Sequence, residues 1–164
     1  MDDHTIALEP LTAAAFAPFG DVLAARGAAD MVINGGLCDR FHDLADVQVL
    51  GEGARAGISL FRSRARTLPY RLDLMERHPL GSQAFMPLGP APFLVIVAPD
   101  AGGRPGRPRA FRTAPGQGVN YHAGVWHGVL TPLVDGATFL VVDRIGPGEN
   151  LEEVVFETPY VIVG

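Results

Sequence analysis

Short runs of Val, Ile, Leu and Phe alternate with turn residues along the chain, and none of the runs is long enough for a packed helix. Twenty Gly and 14 Pro supply the punctuation. This pattern predicts an all-β sandwich or barrel, with strands over 21–23, 31–33, 57–62, 68–76, 82–87, 93–98, 110–113, 118–121, 125–130 and 138–144. One helical turn is expected near the start, where Thr12 can cap Ala13 to Phe16 before Pro18 and Gly20 stop it. Residues 99–108 have too little apolar content to pack and read as a surface connection within one domain spanning 1–164.

Strand periodicity singles out the stretch 68–78. Its even positions Leu68, Tyr70, Leu72, Leu74, Glu76 and His78 share a face, so apolar side chains lead into an acid and an imidazole. If that face is a barrel interior, Glu76 and His78 project into its polar end, and Gln83 follows shortly after.

The spacing Glu76-x-His78-x4-Gln83 with a later Gly89 resembles the first cupin motif, His-x-His, then three or four residues, Glu and a later Gly. Two of its ligand positions are altered. The segment His122-Ala-Gly124-Val-Trp-His127 matches the second motif, Pro-x-Gly-x-x-His, with His in place of Pro and His127 on the ligand position. Longer stretches point the same way: Ile33-Asn-Gly-Gly36, Cys38-Asp-Arg-Phe-His-Asp-Leu44, Ile58-Ser-Leu-Phe-Arg62, 76–85, Gly116-Gln-Gly-Val-Asn-Tyr-His122, Gly124-Val-Trp-His127 and Val141-Val-Asp-Arg144. Through these, the chain from about Leu8 to Tyr160 resembles the ureidoglycolate lyase family. The resemblance implies a double-stranded β-helix (cupin) barrel, usually a homodimer. It also implies a carbon–nitrogen lyase that splits (S)-ureidoglycolate into glyoxylate and urea late in allantoin breakdown, within purine metabolism.

That chemistry sets requirements the residues can be asked to meet. Ureidoglycolate is a carbinolamine bearing a carboxylate, so its cleavage needs a base for the hydroxyl, an acid for the departing urea nitrogen and an anchor for the carboxylate. His78, His122 and His127 suit the proton steps, with Glu76 as base or as orienter of an imidazole. Arg40, Arg62, Arg77 and Arg144 are candidate anchors, and Gln83 a further substrate contact; Arg144 shares parity with Leu140 and Val142. A divalent metal, nickel by the family resemblance, would find ligands in His78, His127, Glu76 and Gln83, although Gln83 stands where the motif has an anionic Glu.

Composition narrows the alternatives. All 13 basic side chains are Arg, so a lysine Schiff base is excluded, and a formal net charge of -5 offers no footprint for nucleic acid. The single Cys38 cannot form an internal disulfide, and the start Met1-Asp2-Asp3-His4 lacks an apolar signal core, which fits a cytoplasmic protein. No apolar run approaches the roughly 20 residues of a membrane span. His4 and His42 read as solvated surface residues, Trp126 as core or interface, and Arg64, Arg66, Arg104, Arg107 and Arg109 as a solvated charge set. The apolar stretch Tyr160-Val-Ile-Val163 is expected to offer a strand to a second copy. Two rival readings stand beside the lyase: a cupin hydrolase that releases ammonia, and a catalytically silent cupin that binds a small carboxylate.

Overall fold

The computed structural model describes residues 3–164; Met1 and Asp2, part of the acidic start, lie outside the described residues. In chain order the elements are β1 (Thr5–Pro10), α1 (Ala13–Phe16), β2 (Gly20–Leu23), β3 (Met31–Ile33), a 3-10 turn (Asn34–Gly36), β4 (Cys38–Arg40), β5 (Arg55–Ser63), β6 (Tyr70–Arg77), β7 (Gln83–Pro87), β8 (Phe93–Ala98), β9 (Arg109–Arg112), β10 (Gly118–Tyr121), β11 (Trp126–His127), β12 (Thr131–Pro132), β13 (Ala137–Ile145) and β14 (Glu152–Val163). The chain is nearly all β, with a closed barrel of the cupin type and one short helix at the start, as expected. The Thr12 hydroxyl accepts a hydrogen bond from the Ala15 amide at 3.2 Å, and Phe16 anchors the helix in the core.

A seven-stranded sheet runs β11-β6-β14-β1-β9-β8-β12, and because β11 also pairs with β8, the strands from β6 round to β11 close into a ring. A five-stranded sheet, β2-β10-β7-β13-β5, packs beside it. Strand β8 shows how one sequence serves both layers. Leu94, Ile96 and Ala98 fill the ring together with Ile6, Leu72, Met75 and Trp126. Phe93, Val95 and Val97 face the other way, into a second core with Phe16, Phe85, Phe111, Val119, Tyr121, Phe139 and Val141. A strand buried on both faces has no polar alternation, which is why this run reads as continuously apolar.

Four expectations need correction. Strand β1 was not expected; it is held by parallel pairing to β14 and β9, a long-range arrangement that local pattern does not encode. The strand expected over 125–130 is only Trp126–His127; Gly128 still donates to the Ile96 carbonyl at 2.8 Å, and regular pairing with β8 resumes at β12. The even face of 68–78 is not continuous. Leu72 and Met75, three apart, bury in the same cluster, so β6 changes face before Glu76, opposite a register break in β14 between Val155 and Tyr160 that contains Pro159. Finally, Tyr160–Val163 offers no free edge, since this part of β14 pairs with β6 on one side and β1 on the other.

The expected surface connection over 99–108 is exposed over most of its length and closes on itself through an Asp100–Pro105 bridge. Among the described residues, no helix is long and apolar enough to cross a membrane.

Candidate active site

Strand β11 is two residues long but paired on both sides, with His127 opposite Glu76 on β6 and opposite Val97 on β8. Its neighbour Trp126 points into the ring, where its indole N–H donates to Asp100 at 3.0 Å and the Arg77 guanidinium lies 4.4 Å above the ring. His127 therefore faces the five-stranded sheet. There the ring of Tyr121 stacks on it at 4.3 Å with 7° between planes. The site lies at the seam of the two sheets, with His127 at its floor, only 2% exposed.

Two imidazoles are fixed in the same way. His127 Nδ1 lies 2.9 Å from the Gly128 carbonyl, and His78 Nδ1 lies 2.8 Å from the Asn150 carbonyl. A carbonyl can only accept, so in each ring Nδ1 carries the proton and Nε2 is left to the site. Both Nε2 atoms are buried without a partner. The rings stand 5.2 Å apart, and His78 Nε2 is 3.9 Å from Glu76 Oε1. Asn150 also accepts from the Leu80 amide at 2.7 Å, so this one residue clamps the turn that carries His78.

Burial pushes His127 down to about 4, against the Gly128 hydrogen bond that favours its protonation and with nearby His78 adding to the depression. It is a neutral ring at neutral pH, with a lone pair to offer. Burial likewise raises Glu76; His78 pulls its carboxyl back, and Glu153, its neighbour across β14, pushes it up further. The Tyr121 phenol is raised by burial and by the Glu76 charge, so it stays protonated. Glu76 and His78 each keep 19% side-chain exposure, which opens the cluster to solvent on their side. Glu76, His78 and His127 each offer one ligand atom within 4.8 Å of the others. A carboxylate oxygen and two imidazole nitrogens suit a divalent first-row metal.

Of the other residues expected at the site, Gln83 is 8% exposed on β7, between Tyr121 on β10 and Asp143 on β13. Its Nε2 donates to Asp143 Oδ2 at 3.1 Å, and its Oε1 is buried without a partner. His122 turns away, its Nε2 lying 2.9 Å from Asp21 Oδ2. That carboxyl also accepts from Asn120 and from the Asp46 amide, and these hydrogen bonds outweigh burial and lower it.

None of the four candidate anchors hydrogen-bonds to Glu76, His78 or His127. Arg144 donates to the carbonyls of Leu50 at 2.7 Å and Pro147 at 2.6 Å. Arg77 pairs with Glu152 and Asp100. Arg62 and Arg40 are exposed, the latter on the β3–β4 hairpin beside Met31. His42 is exposed, whereas His4 is half-buried with its ring 4.9 Å from that of Tyr160. Arg109, expected among solvated charges, makes a two-pronged pair with Glu9 at 3.0 and 2.7 Å over the Phe111 ring.

Sequence reasoning missed Tyr121, Asp143 and Asn150. A signal existed for two of them: Tyr121 shares parity with Val119, and Asp143 with Phe139 and Val141, all of which face the second core. For Asn150, in a turn after Gly148, there was none.

Residues 3–163 match the family model described as ureidoglycolate lyase. The chain is 59% identical over 157 residues to the ureidoglycolate lyase of Chelativorans sp. (strain BNC1), covering 96% of this chain and 95% of that one. It is 60% identical over 157 residues to that of Rhodobacter capsulatus, covering 96% and 97%, and 56% identical over 155 residues to that of Rhizobium etli (strain CIAT 652), covering 94% and 93%. The match spans both sheets and every element that carries the site, and on it the chain belongs to the ureidoglycolate lyase family.

Proposed function

We propose that this chain cleaves ureidoglycolate to glyoxylate and urea at the cluster of Glu76, His78 and His127. The observation that carries the assignment to this place is the convergence of two unpartnered imidazole nitrogens and a carboxylate of raised pKa, in a chain whose relatives are named for that reaction.

Glu76 takes the proton of the carbinol hydroxyl, a role that suits a carboxylate made more basic by burial. The alkoxide electrons close the aldehyde C=O, the C–N bond breaks, and the urea nitrogen takes the proton that Glu76 has just received. Neutral His127 offers the site a single lone pair at Nε2, and the Tyr121 face holds its ring in plane. None of the candidate arginines hydrogen-bonds to these residues, and we place the substrate carboxylate on the solvent-open His78 side of the cluster. A divalent cation held by Glu76, His78 and His127 would supply positive charge for the carboxylate and Lewis acidity for the alkoxide oxygen.

The chain acts as one domain, as supported by β14 pairing with β1 to bring both ends into one sheet. It functions as a homodimer without nucleic-acid or membrane partners, in a reducing cytoplasm that its single thiol suits. Support for the dimer comes from β5, an edge strand of nine residues with Ile58 73% and Leu60 65% exposed. Incubation with racemic ureidoglycolate, before and after chelation, tests reaction and metal together. Urea and glyoxylate in equal amounts support the lyase; ammonia supports hydrolysis, and binding without turnover a silent cupin.

A further inference from the structure

Gln83 carries a buried carbonyl oxygen with no partner, in a side chain that is 8% exposed. Leaving such an atom unmet costs on the order of 1–3 kcal/mol, so its place beside a catalytic cluster calls for a ligand group to meet it. Chemistry fixes which end of the amide is free. The Asp143 carboxylate 3.1 Å away can only accept, so the end facing it must be the NH2, and the free end must be the C=O. Gln83 is in register with Asp143 on one side and Tyr121 on the other. The oxygen is on the opposite arm of the planar amide from Nε2 and so away from Asp143; the strand on that other side carries Tyr121, whose ring stacks on His127.

We propose that Asp143 is a positioning residue that locks the Gln83 amide with its carbonyl toward the cluster, making this corner of the site an acceptor for the N–H groups of a ureido substrate. This rests on the ureidoglycolate reading above and assigns the two ends of that substrate. A carboxylate, which has only acceptors, is refused at Gln83 and kept to the His78 side. An amide free to rotate would present its NH2 as readily and lose that discrimination.

The test is calorimetric binding of two non-reacting ligands to wild type, Asp143→Leu and Asp143→Asn. Ureidoacetate keeps the ureido group and the carboxylate but lacks the carbinol hydroxyl, so it cannot be cleaved. Glycolate keeps the hydroxyl and the carboxylate but lacks the ureido group. Asp143→Leu should weaken ureidoacetate by about tenfold or more, the scale of one buried hydrogen bond, and leave glycolate within about twofold. Asp143→Asn, which can still accept but no longer dictates the orientation, should weaken ureidoacetate to a smaller extent, and it carries the comparison if the Leu variant does not fold. Equal weakening of both ligands, as a disturbed pocket or a lost shared cation would give, overturns the proposal, and so does no change in either. Wild-type protein that turns over ureidoglycolate yet binds ureidoacetate no better than glycolate also overturns it. Wild type without any turnover would instead remove the functional reading on which it rests.

Discussion

His127 and His78 are each tied by a protonated Nδ1 to a backbone carbonyl, so neither ring can present its other nitrogen elsewhere without breaking a buried hydrogen bond. Replacing either by Ala should lower ureidoglycolate turnover by roughly 100-fold or more, the scale of lost general acid–base help, with an unchanged circular-dichroism spectrum. His42→Ala, at an exposed position, should stay near wild type; a comparable loss there would detach the effect from the cluster. His127 also predicts a pH dependence of stability in protein stripped of metal by a chelator. An ordinary imidazole has a pKa of about 6.5 and burial pushes His127 down to about 4, so between these values the unfolded chain binds the extra proton. Its contribution is complete above pH 6.5 and is lost as pH falls toward 4, to the extent of roughly 3 kcal/mol. Urea midpoints at pH 7 and pH 4.5 should therefore differ more for wild type than for His127→Gln. Equal differences would contradict the buried neutral ring.

At the scale of elements, the turns around the site are held by side chains reaching back to backbone. Arg144 ties the segments at Leu50 and Pro147 together, and Gly81 lets the chain pass close beside it, since an added Cβ there would sit 2.6 Å from the Arg144 Cβ. Arg144→Ala should cost on the order of 1–3 kcal/mol by leaving two carbonyls unmet, read as a lower melting temperature, with KM for ureidoglycolate little changed. A large rise in KM at unchanged melting would restore Arg144 as a carboxylate anchor. The β class, the capped turn at Thr12 and the strands of both sheets other than β1 and β12 were legible, at least in part, because period-2 burial and turn residues are local signals. Glu76, His78 and His127 were legible as motif positions. Parity misled where β6 changes face between Leu72 and Met75; on β13 it held, with Arg144 on the side of Leu140 and Val142 and Asp143 on the inward face of Phe139 and Val141. Register breaks and parallel pairings such as β1 with β14 are settled by packing between distant segments, which no local pattern carries.

For the whole molecule, the ring of strands closes one core and leaves the five-stranded sheet with an open end at β5. Ile58 and Leu60 project from the same face of that strand into solvent, in register with Val142 and Leu140 on β13. A long apolar edge of this kind favours pairing with a second copy across a two-fold axis. Sedimentation at micromolar concentration should show a dimer for wild type and a monomer for an Ile58→Glu, Leu60→Glu double variant; a wild-type monomer would contradict the assembly.

The central claim, that this fold splits ureidoglycolate at the cluster of Glu76, His78 and His127, is tested most directly by quantifying products from racemic ureidoglycolate with wild type and His127→Ala side by side. The account predicts urea and glyoxylate in equal amounts, no ammonia, and loss of both products in the variant. Ammonia in place of urea, or full turnover by His127→Ala, would contradict it.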